Sequence, residues 1–300
     1  MPNIVLGSVR IAIHLLVGAA ILAIFFPFAS RQRRERTIRW WSRKLLAICG
    51  VEPRVGGTNA VDSTSLHELC SSPFPRTMLV MNHISWIDIY IVHALRPARF
   101  VAKSEIRAWP LIGYLCDRTG TIFLERGKRH AVHQATRVVA DVLIGGGLVA
   151  VFPEGTTTDG ATLLPFHANL IQAAVDAGVP VRPAALRYFK RDDSGKERFT
   201  DAAAYVGETT MFESLQMILR RQPLVADLRL LGPIDTAGLT RHQIADRARR
   251  AIAEELELEI GSGPARNRGA GRGLGNEVSP GAALAGTALG TASGPRGEPP

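Results

Sequence analysis

The sequence predicts an α/β fold in which a mixed, largely parallel sheet is flanked by helices. The first observation behind this class is that apolar runs of strand length alternate with helix-like stretches between residues 78 and 231. The second is composition, because 300 residues with 46% hydrophobic and 21% charged side chains can enclose a sizeable core. The third is an apolar segment at residues 11–28, which predicts an N-terminal hydrophobic helix ahead of this domain.

Four stretches of the domain are predicted to be helices. They are 87–95, 131–143, 170–177 and a last helix that Thr240 and Gln243 open as a capping pair and that ends near Glu257. Gly145-Gly146-Gly147 ends the second of them. The predicted strands are 78–81, 100–102, 120–124, 148–152, 181–186 and 224–231.

Residues 1–51 are predicted to form a membrane anchor and a basic interfacial helix. Residues 11–28 are apolar apart from His14, and this length is at the lower edge of the ~20 residues that a membrane span needs. A cleaved signal peptide is the main alternative, but only Arg10 precedes the apolar run and many arginines follow it. Whether the helix spans the bilayer or is half inserted is left open by its length.

The positive charge of the chain is concentrated directly after this apolar run. Residues 31–44 contain seven basic side chains and Glu35, a net charge of +6 out of +9 for the chain. Such charge suits either nucleic acid or an anionic membrane, and its position beside Trp40-Trp41 and the apolar run favours lipid. The alternative is an amphipathic helix packed on the domain. The positive-inside rule then places the domain on the cytoplasmic face of the inner membrane, with no nucleic acid partner.

The remaining segments give the domain its limits. Residues 52–260 are predicted to form the globular domain, which starts with a Gly-, Ser- and Pro-rich loop at 52–75. Residues 261–300 form a Gly/Ala/Pro-rich tail with 11 Gly and 5 Pro, a composition that predicts disorder. Cys49, Cys70 and Cys116 are odd in number and form no CxxC, so they predict neither a disulfide framework nor a zinc site.

The stretch from Asn82 to Asp88, Asn-His-Ile-Ser-Trp-Ile-Asp, places a histidine at a strand end and a carboxylate in the next helix. Within one helix, residues five apart diverge by about 140°, so His83 and Asp88 can meet only if His83 lies in the turn. A histidine backed by a carboxylate is the arrangement of a general base. The alternative is an ordinary capped helix, with Ser85 as its cap, beside a hydrogen-bonded histidine.

Other polar residues follow predicted strands, where α/β proteins gather their ligand groups. Arg126 and Lys103 suit a phosphate, although a solvated arginine and a solvated Lys103–Glu105 pair are the alternatives. Glu154 could bind substrate hydroxyls or Arg126, and N–H groups around Gly155 could stabilise an oxyanion. The alternative there is a turn with a solvated glutamate. Residues 179–183 are rigid and suit a hydrophobic wall.

Taken in order, these segments resemble the four motifs of the glycerolipid acyltransferases. Residues 83–88 match the HX4D motif, and residues 120–126, 152–156 and 179–183 resemble the second, third and fourth motifs. The resemblance covers about 78–186 and implies the 1-acyl-glycerol-3-phosphate (lysophosphatidate) acyltransferase branch, so that residues 52–260 would be the acyltransferase domain. It implies catalytic roles for His83 and Asp88. The substrate-binding residues would be Arg126, Glu154, Gly155, Thr156 and Lys103.

The resemblance also implies the substrates. The donor would be an acyl-ACP or acyl-CoA thioester, the acceptor a lysophospholipid in a membrane, and neither a cofactor nor a metal would be needed. One segment departs from the family, which commonly has Pro-Phe-(Lys/Arg)-x-Gly where this chain has Pro165-Phe166-His167-Ala168-Asn169. This departure makes another acceptor, such as a lyso-ornithine lipid, the chief alternative.

Two classes of enzyme and one class of binding protein compete with this interpretation. A serine hydrolase is disfavoured because the sequence has no Gly-x-Ser-x-Gly. A metal hydrolase could use His83, Asp88, His93 and Glu154, but the sequence has no HExxH. A non-catalytic protein that binds anionic membranes through residues 31–44 is the remaining alternative.

Overall fold

A mixed sheet of eight strands runs through the part of the chain that the structure describes. The structure, a computed structural model, describes residues 4–57, 76–125, 127–192, 194–220 and 223–259, which form one compact unit. The strands are β1 (Val51–Gly57), β2 (Met78–Met81), β3 (Arg99–Lys103), β4 (Ile122–Leu124), β5 (Val149–Val151), β6 (Val181–Arg191), β7 (Glu197–Phe199) and β8 (Leu224–Leu230).

The sheet is mostly parallel, which confirms the predicted class. Its order is β1-β8-β6-β2-β5-β3-β4, and β7 pairs with β6. The five strands from β6 to β4 are parallel to one another, whereas β8 is antiparallel to β6 and β1 is parallel to β8. The carboxyl ends of β2, β3, β4 and β5 therefore lie along one edge of the sheet.

Helices cover both faces of this sheet. They are α1 (Ile4–Ala20), α2 (Arg31–Ile48), α3 (Asp88–Leu95), α4 (Ile112–Arg118), α5 (Arg129–Ile144), α6 (Gln172–Ala177), α7 (Met211–Arg220) and α8 (Arg241–Glu255). Side chains alternate along β2, so that Leu79 and Met81 pack with α1, α2, α3 and α7, whereas Met78 and Val80 pack with α5, α6 and α8. Thr240 and Gln243 form the predicted capping box at the start of α8.

The predicted loop at 52–75 is wrong for its first six residues, which belong to β1. These residues pair with β8 in a parallel register that starts at Val51 and Leu224. Pro53 lacks an N–H group, and an edge strand such as β1 tolerates this. Local composition predicted a loop because the pairing partner lies more than 150 residues away. The rest of that loop, at 58–75, and the predicted disordered tail at 261–300 lie outside the described residues.

The N-terminal helix is the one described helix that is long and apolar enough to cross a membrane. It continues from α1 through a π-helical turn and a 3-10 turn as far as Phe28, with a mean hydropathy of 2.4. One face of α1 packs on α2. There His14 Nε2 lies 3.0 Å from the Trp41 carbonyl oxygen, the Trp41 indole N–H donates to the His14 carbonyl oxygen, and the rings stack 4.5 Å apart.

The basic helix α2 has two different sides. Leu45 and Leu46 are buried in the core of the domain, so this side does not face lipid. Trp40 and most of the basic side chains are exposed. The structure therefore combines the two alternatives for this segment, because α2 packs on the domain and still presents a cationic surface.

Candidate active site

The predicted site residues follow neighbouring strands of the sheet. His83 follows β2, Glu154 follows β5, and Lys103 ends β3, and these three strands are adjacent in that order. Lys103 is in register with Leu124, the last residue of β4. Arg126 lies two residues further on, outside the described residues.

The side chains of His83 and Asp88 meet, as their spacing predicts. His83 Nδ1 lies 2.8 Å from Asp88 Oδ2. The Asp88 side chain is fully buried, whereas 19% of the His83 side chain is exposed. The imidazole is thus anchored from inside the protein and can be reached from outside.

The turn before α3 forms part of the predicted helix cap. The Ser85 N–H donates to Asp88 Oδ2 at 2.9 Å, which is the carboxylate half of a capping box. The other half is absent, because the buried Ser85 hydroxyl has no hydrogen-bond partner among the described residues. The carboxylate of Asp88 therefore organises the turn while it also holds the histidine ring.

Asp88 accepts four hydrogen bonds in a buried setting. Its Oδ2 also accepts from the Ile84 N–H at 2.8 Å, and its Oδ1 accepts from the Tyr188 hydroxyl at 2.6 Å. Tyr188 lies on β6 and is fully buried. Burial, together with the nearby charge of Asp88, raises the pKa of Tyr188 well above its usual value, so the hydroxyl remains a donor.

The His83 ring is oriented so that one nitrogen stays available. With Nδ1 on Asp88, the proton of the neutral ring belongs on Nδ1, and the lone pair of Nε2 is left for a ligand. The ring stacks on Phe152 with 3.8 Å between centroids, and Phe152 in turn stacks on Phe100. A ring held by a hydrogen bond and an aromatic stack is preorganised for proton transfer.

The main chain of His83 is held by the loop that follows β5. Its N–H donates to Glu154 Oε1 at 2.8 Å, and its carbonyl oxygen accepts from the Thr158 N–H at 2.8 Å. Glu154 Oε2 accepts from the Leu164 N–H at 2.9 Å. Glu154 is 4% exposed, and burial raises the pKa of its carboxyl group. Among the described residues, the partners of the Glu154 carboxylate are thus main-chain N–H groups. Arg126, the other partner that the sequence suggested, lies outside them.

Gly155 occupies a backbone conformation that requires glycine, with φ at +74°. Its own N–H donates to the Phe152 carbonyl oxygen at 3.1 Å. The Gly155 N–H is therefore not available to stabilise an oxyanion, the role that the sequence suggested for N–H groups in this turn. Thr156, the next residue, is exposed. His167 is also exposed, and a Cβ atom built on Gly155 would lie 3.2 Å from its ring. The segment that departs from the family motif therefore lies against the site.

Lys103 presents a positive charge on the same edge of the sheet. Its side chain is exposed, and within the described part of the chain it makes no hydrogen bond or ion pair. The suggested pair with Glu105 does not form. Lys103 is therefore available to a phosphate.

His93, the fourth residue of the alternative metal site, lies elsewhere. It is buried behind Phe100, and its Nδ1 accepts from the Ala98 N–H. Across the described ranges, no group of three or more His, Cys, Asp or Glu side chains could hold a metal ion. The geometry of these four residues therefore does not fit a shared metal site.

Comparison with known proteins gives consistent relatives. A family model described as "Acyltransferase" matches residues 67–187. A lyso-ornithine lipid O-acyltransferase of Pseudomonas aeruginosa is 36% identical over 220 residues, which cover 73% of this chain and 78% of that protein. A 1-acyl-sn-glycerol-3-phosphate acyltransferase of Neisseria gonorrhoeae is 41% identical over 188 residues, which cover 61% and 72%.

A solved structure shares the fold. The crystal structure of the 1-acyl-sn-glycerophosphate (LPA) acyltransferase from Thermotoga maritima covers 85% of this chain and is itself covered completely. The TM-score is 0.51 and the sequence identity is 20%, which supports the fold alone.

Proposed function

Because this chain belongs to the acyltransferase family, within its lysolipid-acylating group, we propose that it uses His83 as a general base to acylate a lysolipid hydroxyl. The donor in this proposal is an acyl-ACP or acyl-CoA thioester. The observation that carries the proposal is the reachable His83 ring. Its Nδ1 is held at 2.8 Å by the buried Asp88, and its Nε2 has no hydrogen-bond partner among the described residues.

The chemistry needs one proton carrier. Nε2 of His83 takes the proton of the acceptor hydroxyl as its oxygen attacks the thioester carbonyl carbon. The tetrahedral intermediate collapses, the C–S bond breaks, and the imidazolium returns the proton to the departing thiolate. Asp88 stabilises the imidazolium between these two steps, and such general-base catalysis contributes about 10²–10⁴-fold.

Two residues of the loop after β5, Glu154 and Thr156, have roles in this mechanism. Glu154 positions the His83 main chain, and its predicted contact with the acceptor glycerol remains a proposal that rests on the family resemblance. Stabilisation of the oxyanion is assigned to Thr156, because the Gly155 N–H is already donated to Phe152. Thr156 is exposed in the same turn, where its N–H and hydroxyl can face a bound thioester.

The preferred acceptor is 1-acyl-glycerol-3-phosphate, which would give phosphatidic acid. Lys103 supports this choice, because a free ammonium group lies on the edge that carries His83. Only β5 separates β2 from β3, so the two main chains are roughly 10 Å apart, a gap that a lysine side chain and a glycerol phosphate can bridge. Arg126, by family resemblance, would add a second phosphate contact.

A lyso-ornithine lipid is the second candidate acceptor. The similarity to the Pseudomonas aeruginosa protein favours it, and so does the segment His167-Ala168-Asn169 beside Gly155. An acceptor with an amino acid headgroup in place of a phosphate would not need the basic residue that the family usually carries at position 167.

A membrane location follows from lipid substrates and from the apolar N-terminal helix. We place the chain at the inner membrane with its sheet domain on the cytoplasmic face, because the arginines of α2 follow α1 directly. In this orientation the exposed apolar side of α1 contacts acyl chains, and the basic side chains of α2 contact anionic headgroups.

A panel of acceptors tests the proposal. Purified protein in phospholipid vesicles is given labelled acyl-CoA or acyl-ACP together with 1-acyl-glycerol-3-phosphate, lyso-ornithine lipid or other lysolipids. We expect transfer to 1-acyl-glycerol-3-phosphate, and an apparent KM for this acceptor that rises about tenfold in Lys103→Ala, the loss of one charge-assisted contact. Lys196→Ala, an exposed lysine on the β6–β7 turn, is the matched control.

The outcomes separate the two acceptors. If the protein acylates lyso-ornithine lipid alone, and the apparent KM for it is unchanged in Lys103→Ala, then lyso-ornithine lipid is the acceptor in place of 1-acyl-glycerol-3-phosphate. Transfer to no lysolipid from either donor would overturn the proposed function.

A further inference from the structure

The second oxygen of Asp88 is held by a residue far from the His83–Asp88 turn. Oδ2 serves the His83 ring and two main-chain N–H groups, whereas Oδ1 accepts only from the Tyr188 hydroxyl among the described residues. We propose that Tyr188 is a positioning residue of the acyl transfer, which fixes the Asp88 carboxylate behind His83 and shares its negative charge. This inference rests on the proposed function of the His83–Asp88 pair.

Strand β6 holds the turn at two points. The pairing of β2 with β6 ends at Met81 and Ala184, and the Asn82 side chain then continues it. Asn82 Nδ2 donates to the Leu186 carbonyl oxygen at 2.9 Å, and the Leu186 N–H donates back to Asn82 Oδ1 at 2.8 Å. Two residues further along β6, Tyr188 reaches Asp88. The turn that carries the catalytic pair is thus attached to β6 both before His83 and after it.

The position of Tyr188 is itself fixed. Tyr188 is paired with Ala226 of β8, its carbonyl oxygen accepts from the Thr200 N–H at 3.0 Å, and its side chain is fully buried. It cannot reach a substrate in the solvent-accessible part of the site. Any effect of its hydroxyl on the reaction must therefore pass through Asp88.

The hydroxyl balances the charge of the carboxylate. A hydrogen-bond donor on Oδ1 withdraws part of the negative charge of the Asp88 carboxylate. This charge favours protonation of the His83 ring, so the donor makes protonation less favourable. When this donor is removed, Oδ2 remains held by the Ile84 and Ser85 N–H groups, so the contact with His83 persists. Oδ1, in contrast, becomes buried and unpaired. The imidazolium is then easier to form, and the proton is released to the leaving thiolate more slowly.

Within the described ranges, the other titratable groups around His83 do not duplicate this effect. Glu154 contacts the main-chain N–H of His83, not its ring. His167 lies beyond Gly155, against the glycine backbone. Among the residues that the structure describes, Asp88 and, through it, Tyr188 are thus the groups that act on the ring nitrogen Nδ1.

Tyr188→Phe, compared with Tyr90→Phe, tests the inference. Tyr90 lies on α3, its ring packs against Trp86 and Trp41, and its hydroxyl has no hydrogen-bond partner in the described part of the chain. The measurements are an NMR titration of the His83 ring in detergent micelles, assigned with His83→Gln, and the pH profile of kcat/KM. For Tyr188→Phe we expect the midpoint of the His83 titration to move to higher pH by about half to one pH unit. The acid limb of the kcat/KM profile should move to higher pH by the same amount.

The same variant should lower kcat about tenfold and leave both KM values within twofold, since one hydrogen bond to a charged group is lost. Tyr90→Phe should match the wild type in all of these measurements. If Tyr188→Phe lowers Tm but leaves the titration midpoint and kcat unchanged, its role is only structural and the inference is overturned.

The inference can still be tested if Tyr188→Phe does not fold, or if the wild type shows no acyl transfer. If Tyr188→Phe does not fold, protein made with 3-fluorotyrosine keeps every hydroxyl and gives Tyr188 a stronger donor, so the midpoint should move down; an unchanged midpoint overturns the inference. If the wild type acylates no lysolipid, the proposed function fails, while the NMR titration still decides whether Tyr188 acts on the pair.

Discussion

Two histidines ten residues apart experience opposite surroundings. His83 is partly exposed and paired with a carboxylate, whereas His93 is 7% exposed and accepts a hydrogen bond from the Ala98 N–H. Burial lowers the pKa of His93 to about 4, so this ring stays neutral in the folded protein at physiological pH. Of these two histidines, His83 is the one that combines access from outside with a carboxylate partner.

His93 predicts a specific loss of stability in acid. The pKa of His93 is lowered from 6.5 to about 4 in the folded protein, so the unfolded state takes up a proton first as the pH falls. The stabilisation is fully present above pH 6.5 and is lost between there and pH 4, by up to about 3 kcal/mol. Unfolding of wild type and His93→Gln in detergent at pH 7 and pH 5 measures this. The wild type should lose more stability than the variant, and equal losses would contradict the burial argument.

At this scale the sequence predicted part of the candidate site. The spacing of His83 and Asp88 predicted their contact, because it depends on a single turn between a strand and a helix. Tyr188 carries no local signal, since its contact with Asp88 depends on the register between β2 and β6. Glu154 was placed in the correct loop, but its main-chain partners depend on how that loop folds back over His83.

Among the elements, α1 and α2 are joined by unusually close packing. A Cβ atom on Gly18 would lie 2.7 Å from Trp41 Nε1, so the two helices can approach only because residue 18 is a glycine. The indole cannot move away easily, because it stacks on His14 and donates to the His14 carbonyl oxygen. The N-terminal helix is therefore docked on the domain along one side.

Gly18→Val should separate these helices. Overpacking at such a contact costs about 1–3 kcal/mol, which corresponds to a fall in Tm of about 3–8 °C in detergent micelles. Ala12→Val, on the exposed side of α1, adds a similar branched side chain without this contact and should leave Tm within a degree or two of the wild type. Equal Tm values for the two variants would contradict the packing of α1 on α2 and would mean that α1 lies in the bilayer without contact to α2.

The elements that were predicted correctly are those with a strong local pattern. The six predicted strands exist, although their ends differ by a few residues, and the capping pair at Thr240 marks the start of α8. β1, β7, α4 and α7 were missed. β1 and β7 are stabilised by pairing with distant strands, and this pairing outweighs a composition of Gly, Pro and charged residues.

At the scale of the whole molecule, the two faces of the sheet are covered by helices with different surfaces. α1 and α2, which carry the exposed apolar and basic surfaces, pack on one face, whereas α5, α6 and α8 pack on the other. The proposed catalytic pair, His83 and Asp88, lies at the carboxyl edge between these faces, at the turn that leads into α3. In the proposed function, this arrangement would let an acceptor hydroxyl from the bilayer and a thioester from the aqueous side meet at the same edge.

The overall class, the apolar N-terminal helix and the basic segment were predictable because composition and alternation depend on many residues at once. The docking of α2 on the core through Leu45 and Leu46 was not, because the same apolar residues would also suit a lipid surface. Local sequence specifies that a face is apolar, but the rest of the fold decides what covers it.

The most direct test of the account compares wild type, His83→Ala and Asp88→Asn in the same vesicles, with acyl-transfer rates measured at saturating donor and acceptor. Loss of the base should reduce kcat at least 10²-fold, and Asp88→Asn should be nearly as harmful because the ring loses its orientation and the charge behind it. Both variants should retain the fold, as shown by circular dichroism. Acyl transfer by folded His83→Ala at the wild-type rate would contradict the account.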